Sequence, residues 1–220
     1  MVKVRHDLSS LGLLTGIVTA ENVQILDTPL PLRRKLEDLI AAVKGGVAPN
    51  GDRKKAVREL LRAGGFKPSG RNKPASEYLL QAAGEERFPF INNLVDINNY
   101  VSLLSGLPVS LLDLDAVGET ALLRLGLQGE SYVFNSAGQA IDLEGLICVC
   151  REEGSASVPL GNAVKDSMQG KIKNGTARVM GVIYAPRTAV PPEELRQLVK
   201  LFGELIREYG GGEQIQELIL

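Results

Sequence analysis

The stretch from Phe88 to Asp115, FPFINNLVDINNYVSLLSGLPVSLLDLD, constrains the fold more than any other part of the sequence. If residues 92–105 form a helix, four apolar side chains share one side of it and three polar side chains share the other. The apolar set is Leu94, Ile97, Val101 and Leu104, and the polar set is Asn92, Asp96 and Asn99. Gly106 and Pro108 predict the end of this helix, because glycine accepts left-handed geometry and proline lacks a backbone donor. A largely buried helix, a tight turn and a strand, VSLLDL, are therefore expected in succession.

The polar side chains of this helix have two interpretations. In the structural one, Asn93 caps the helix with Asp96 three residues on, and Asn98 and Asn99 hydrogen-bond to neighbouring loops. In the functional one, the same amides line a binding site. Both follow from the rule that a buried amide or carboxylate needs hydrogen-bond partners, which either the protein or a ligand can supply.

The remaining pattern predicts an α+β protein. Helical spacing of apolar residues indicates five helices, near residues 32–44, 52–63, 75–83, 92–105 and 191–209. Short apolar segments indicate strands, and these are VKVRH, LGLLTGIVTAENVQIL, ALLRLG, ESYVF, QAIDL, LICVC and RVMGVIYAP. Residues 154–176 are expected to form a long polar loop. We therefore expect one domain over residues 1–220, with a β-rich, sandwich-like core of mixed or antiparallel strands flanked by about five helices.

Composition excludes several chemistries. His6 is the only histidine, and Cys148 and Cys150 are the only cysteines, so no zinc-ligand spacing is present and neither a metal nor a disulfide is expected. The sequence has no phosphate-binding glycine motif, so no nucleotide cofactor is expected. No apolar run reaches 18 residues, and no basic-then-apolar leader precedes the domain, so we expect a cytoplasmic protein without a membrane span.

Basic residues are concentrated between Arg53 and Lys73, where eight lysines and arginines face the single acid Glu59, although the whole chain has a net charge of −1. That near-neutral total argues against indiscriminate nucleic-acid binding, and DNA is not an expected partner. A solvated helix face is one explanation of the basic segment. Contact with an RNA backbone is the other. In that case the contacts are expected from Arg53, Lys54, Arg58, Arg62, Lys67 and Arg71.

Three segments carry a resemblance to a known family. INNLVDINNY followed by GLPVSLLDLD resembles the asparagine-rich helix and following strand in the editing domain of the phenylalanyl-tRNA synthetase beta subunit, and is more similar still to free-standing relatives of that domain. KPSGRNKPASEYLL and GNAVKDSMQGKIKNGTARVMGVIYAP extend the resemblance over roughly Lys67 to Pro186. Where the synthetase-embedded domains usually carry a histidine in the turn and strand, this chain has Ser110.

The resemblance implies tRNA editing, in which an ordered water in a polar pocket hydrolyses the ester of a mischarged aminoacyl-tRNA without a covalent intermediate. Two functions stay open: a trans-acting aminoacyl-tRNA deacylase, and a module that binds tRNA or a free amino acid without turnover. By motif, the pocket residues are Asn92, Asn93, Asn98, Asn99, Ser110, Gly161 and Asn162. The polar loop adds Lys165, Asp166, Ser167 and Lys171, because paired charges on a loop can close over a ligand. Asn92, Asn99 and Ser110 are expected to converge on one cavity, opposite residues 161–176.

Overall fold

Two four-stranded sheets and a small hairpin form the β part of the protein. A computed structural model describes residues 2–6, 8–47 and 51–220. The outer sheet has the order β1 (Lys3–His6), β4 (Thr120–Leu125), β7 (Ile147–Glu153) and β8 (Ala156–Asn162). The central sheet has the order β10 (Glu213–Ile219), β2 (Leu13–Glu21), β9 (Val179–Pro186) and β3 (Val109–Asp113). The hairpin pairs β5 (Ser131–Val133) with β6 (Ala140–Asp142). The β1–β4 pair is parallel and the other strand pairs are antiparallel.

Six helices accompany these strands in the described part of the chain. They are α1 (Leu30–Lys44), α2 (Gly51–Ala63), α3 (Ala75–Gly84), α4 (Asn93–Ser105), α5 (Leu114–Val117) and α6 (Pro192–Gly210). Five of them are the predicted helices, with ends that differ from the prediction by no more than two residues. The sixth, α5, is one turn long and follows β3 directly. None of the helices among the described residues is long and apolar enough to cross a lipid bilayer.

The central sheet separates two apolar cores. Side chains alternate along β9, so that Met180, Val182 and Tyr184 pack toward the outer sheet, whereas Val179 and Ile183 pack toward α4 and α6. Helix α6 lies very close to this strand. A Cβ atom on Gly181 would come within 2.4 Å of the Phe202 ring, so only glycine permits that approach. The result is three layers: helices, central sheet and outer sheet.

The predicted α+β class, with a β-rich core of mixed and antiparallel strands, is confirmed. At two places the structure has a strand that was not predicted. Residues 156–162, expected within a loop, form β8, which tolerates Pro159 because β8 is an edge strand with an irregular register beside Cys150. Strand β10 was missed because its sequence, EQIQELI, is mostly polar, as an exposed edge strand can be.

Candidate functional site

The first asparagine of the predicted site begins helix α4. Asn92 is the N-cap, and its side-chain oxygen accepts a hydrogen bond from the backbone N–H of Val95 at 2.9 Å. The capping role foreseen for Asn93 therefore belongs to its neighbour. Such a cap satisfies a backbone donor that the first turn of a helix leaves without a partner.

Asn93 is fully buried and ties three parts of the chain together. Its Oδ1 accepts from the backbone N–H of Leu26 at 3.0 Å. Its Nδ2 donates to the carbonyl oxygens of Gln24 at 2.9 Å and Tyr209 at 2.8 Å. These three bonds fix the segment after β2 and the end of α6 against the start of α4. The contacts give Asn93 a structural role in the fold.

Asp96 makes a similar connection one turn further along α4. Its carboxylate accepts from the Thr28 hydroxyl at 2.6 Å and from the backbone N–H of Ile91 at 3.0 Å. Burial raises the pKa of Asp96, and both hydrogen bonds work in the opposite direction because they favour the ionised form. The carboxylate thus holds the chain entering α1 against the chain entering α4.

Asn98 and Asn99 retain unused hydrogen-bonding capacity. Asn98 Nδ2 reaches the carbonyl oxygen of Val109 only at 3.5 Å, and its buried Oδ1 has no partner among the described residues. Asn99 is 7% exposed, and within the described ranges its side chain makes no hydrogen bond. Of the four predicted asparagines at the start of or within α4, these two have the most freedom to bind something else.

A separate polar network surrounds Ser110 on the other face of the central sheet. Ser110 Oγ lies 2.7 Å from Asp166 Oδ1, 3.0 Å from the Tyr184 hydroxyl and 3.2 Å from the Asn162 carbonyl oxygen. Because Ser110 has a single hydroxyl proton, the geometry suits a chain in which Tyr184 donates to Ser110 and Ser110 donates to Asp166. Both Ser110 and Tyr184 are 1% exposed, so this chain is shielded from water.

Asn162 organises the loop that carries Asp166. Its Oδ1 accepts from the backbone N–H groups of Val164 at 2.7 Å and Lys165 at 2.9 Å. Its Nδ2 donates to the Tyr132 hydroxyl at 2.6 Å, which in turn donates to the Lys165 carbonyl oxygen at 2.5 Å. The side chain therefore holds a tight turn at the end of β8.

Gly161 leaves the space that the Asp166 carboxylate occupies beside β8. A Cβ atom at this position would lie 2.7 Å from Asp166 Oδ1 and 2.9 Å from a Leu112 methyl group. Only a residue without a side chain lets the carboxylate approach the strand this closely. The prediction of Gly161 as a pocket residue rested on motif alone, and the contact supplies a physical reason for glycine here.

Asp166 has an unusual electrostatic environment. Burial raises its pKa to about 6, although hydrogen bonds from Ser110 and the Asn162 backbone and the charge of Lys171 act to lower it. As a whole residue, Asp166 has intermediate exposure at the edge of the network. It therefore changes its protonation state close to neutral pH, which is the range where a carboxylate can act as a general base.

The β5–β6 hairpin and the loop after β8 form the rim beside Asp166. Lys171 Nζ donates to the Phe134 carbonyl oxygen at 2.5 Å, and Lys165 Nζ lies 4.2 Å from the centroid of the Phe134 ring. Ser167 is buried, and its Oγ accepts from the backbone N–H of Gly170 at 2.8 Å. The lysines belong to the rim, whereas Ser167 shapes the loop.

The structure thus divides the predicted pocket residues into two groups. Ser110, Gly161, Asn162 and Asp166 meet between the two sheets, with Lys165 and Lys171 at the rim. The asparagines of α4 lie on the opposite face of the central sheet, with the helices. Sequence reasoning missed Tyr132 and Tyr184. For Tyr184 a signal was available, because a tyrosine on the inward side of a buried strand needs a partner for its hydroxyl.

The basic residues between Arg53 and Lys73 also form two groups, those held in ion pairs and those that are exposed. Arg53 is held by Glu194 at 2.7 Å, and Arg58 makes two hydrogen bonds to Glu77 at 2.6 and 2.7 Å. Lys54 lies 3.6 Å from the same Glu77. Glu77 is buried, so Arg58 and Glu77 form a structural ion pair. This pair links α2 to α3.

Arg62 and Lys67 are exposed and have no ion-pair partner in the described part of the chain. They line a surface cavity of about 400 Å³ together with Gly65, Phe66, Pro68 and Ser69. The side chain of Arg71 lies outside the described side chains. These two cations are the ones in the segment best placed for an external anion.

Fold and site together define a class: an α+β protein in which helices cover one face of a two-sheet core and a buried polar network lies between the sheets. The B3/4 domain family model matches residues 66–190, more than half of the chain. The chain belongs to this family, which is that of the phenylalanyl-tRNA synthetase beta subunit. No curated protein matches the sequence.

The chain was also compared with solved structures. The chain is similar to an N-terminal fragment of the phenylalanyl-tRNA synthetase beta subunit from Pyrococcus horikoshii, with 10% identity and a TM-score of 0.46. The match covers 100% of this chain and 55% of that one, so this chain spans about half of the length of the synthetase fragment.

In the described residues, no group of three or more His, Cys, Asp or Glu side chains could hold a metal ion.

Proposed function

We propose that this protein is a trans-acting aminoacyl-tRNA deacylase, which hydrolyses the ester of a mischarged tRNA with an ordered water molecule. The observation that carries the proposal is the Asp166 carboxylate, whose Oδ1 accepts from the Ser110 hydroxyl and the Asn162 backbone N–H and whose pKa burial raises to about 6. A carboxylate with this pKa can take a proton from water near neutral pH. The proposal treats residues 1–220 as one cytoplasmic domain.

Hydrolysis of an aminoacyl ester requires only modest catalysis by the protein. An aminoacyl ester is already activated, and the neighbouring ribose hydroxyl can assist, so positioning a water molecule near the carbonyl carbon supplies much of the rate. In this scheme Asp166 orients and deprotonates the water, Ser110 and Asn162 hold the carboxylate, and Lys171 contributes positive charge near the developing oxyanion. Ser110 itself is a poor candidate nucleophile. The only histidine, His6, is on β1, at the opposite edge of the outer sheet from β8.

The basic segment is the proposed contact with the tRNA backbone. Arg62 and Lys67 are exposed beside their cavity. The chain that follows them enters α3, where the Ala75 backbone N–H donates to the Ala163 carbonyl oxygen at 3.0 Å. Because Ala163 directly follows Asn162, this connection supports a tRNA path that runs from the cations toward Asp166.

The second candidate is a module that binds tRNA or a free amino acid without turnover. It is favoured by the network itself, whose groups largely satisfy one another, and by the positions of two surface cavities of about 400 and 430 Å³ that Asp166 does not line. In this candidate, the network would only stabilise the seam between the sheets. Binding would then survive the loss of the carboxylate, and no hydrolysis would be found.

A panel of mischarged tRNAs separates the candidates. We expect the wild-type protein to accelerate deacylation of at least one of them, and we expect Asp166→Asn to lower that rate at least about tenfold, equivalent to about 1.4 kcal/mol in the transition state. Asp38→Asn, at an exposed position on α1, is the matched control and should keep full activity. Binding of tRNA without acceleration for any member of the panel would leave the binding module as the function.

A further inference from the structure

A cavity of about 430 Å³ lies where the edges of the two sheets meet, away from Asp166. One wall is formed by the start of β1 and the turn before β4, where the Lys3 backbone N–H donates to the Glu119 carbonyl oxygen at 2.9 Å. The facing wall carries Glu21 and the buried Thr19 of β2. Its volume falls within the range typical of small-molecule sites.

Only some of the charges that line this cavity are paired with one another. Arg178 and Asp115 form an ion pair at 3.1 Å. Lys3, Glu21 and Glu119 have no oppositely charged group within 4.0 Å among the residues that the structure describes. One cation and two anions are thus left unpaired, an excess of one negative charge.

Glu21 is also repelled by a neighbouring carboxylate, that of Glu213. In the β2–β10 register it lies directly opposite Glu213, and like charges in that position destabilise a strand pair. Asn22 Nδ2 donates to Glu213 Oε2 at 2.8 Å, which leaves Glu21 without comparable support. A cation brought into the cavity would relieve this repulsion.

We propose that the cavity binds a small molecule with one carboxylate and two cationic groups, the chemistry of a basic amino acid. Lys3 pairs with the carboxylate, and Glu21 and Glu119 pair with the two cations. The net charge of such a ligand, +1, balances the unpaired charge of the wall. The apolar surfaces of Val2 and Leu114 accommodate the methylene stem between the charges.

Titration of the wild-type protein with four compounds tests this proposal. By calorimetry or NMR, L-lysine or L-arginine should bind saturably with Kd at or below about 1 mM. Norleucine, which lacks the side-chain cation, and cadaverine, which lacks the carboxylate, should each bind at least tenfold more weakly. Absence of saturable binding of both basic amino acids, or equal binding of norleucine, would overturn the proposal.

Two variants locate the binding. Lys3→Gln and Glu21→Gln should each weaken L-lysine binding at least tenfold. Lys35→Gln and Asp38→Asn remove the same charges from exposed positions on α1 and should leave it unchanged. A loss of binding in the α1 variants equal to that in the cavity variants would place the ligand elsewhere and refute the assignment. The compound series on the wild-type protein stays decisive if a variant fails to fold, and it requires no deacylase activity.

Discussion

Two asparagines on one helix, Asn93 and Asn99, should respond very differently to the same substitution. Asn93→Ala removes three hydrogen bonds and leaves the backbone groups of Leu26, Gln24 and Tyr209 without those partners. At about 1 kcal/mol for each bond, the free energy of unfolding should fall by roughly 3 kcal/mol. For a chain of this size, that loss corresponds to a decrease in Tm of about 6–12 °C. Asn99→Ala removes no hydrogen bond to a described residue and should change the stability by less than about 1 kcal/mol.

Urea unfolding followed by circular dichroism measures both variants under the same conditions, with calorimetry as a second readout. Asn93→Ala should shift the transition midpoint while the slope stays that of the wild type, since the same surface is exposed on unfolding. A loss below about 1 kcal/mol in Asn93→Ala would contradict the structural role of this residue. An equal loss in Asn99→Ala would contradict the distinction between the two positions.

Three further outcomes follow from the site. Gly161→Ala should destabilise the protein by about 1–3 kcal/mol, because its Cβ would meet Asp166 Oδ1, and the loss should appear in thermal unfolding. The double variant Arg62→Glu and Lys67→Glu should weaken tRNA binding and flatten its salt dependence at unchanged Tm, and an unchanged salt slope would exclude the surface around these two residues. Arg58→Glu should instead lower the free energy of unfolding by about 2–3 kcal/mol, because it breaks the ion pair with Glu77. Because the pKa of Asp166 is raised, the folded state binds this proton more tightly than the unfolded state does. The stability of the wild type relative to Asp166→Asn should therefore decrease by up to about 3 kcal/mol as the pH rises from about 4 to above 6. Unfolding measured at several pH values checks the sign, and an increase in relative stability would contradict the burial of the carboxylate.

The sequence predicted the elements well because local signals agreed with the fold. Apolar spacing located five helices, and Gly106 ends α4 in the left-handed conformation, as the turn signal indicated. The predictions failed where tertiary context decides. The polar strand β10 is held by its partner β2 and leaves no apolar alternation of its own to recognise.

The site was predictable in composition but not in arrangement. Spacing on α4 identified polar residues that share a side. The sequence could not show that Asn93 bonds across 69 and 116 residues, whereas the side chain of Asn99 has no hydrogen bond to a described residue. The pairing of Ser110 with Asp166 spans 56 residues and depends on how β3 and β8 meet at the seam of the sheets. Such contacts are set by topology, so no periodicity in the sequence encodes them.

The pH dependence of single-turnover deacylation tests directly whether Asp166 acts as the general base. For a mischarged tRNA that the wild-type protein hydrolyses, the rate above the uncatalysed background should rise with pH and level off above about 6, as Asp166 loses its proton. Asp166→Asn should lower the plateau at least about tenfold and remove the inflection, with tRNA affinity unchanged. An identical profile in the wild type and the variant would show that Asp166 takes no part in hydrolysis.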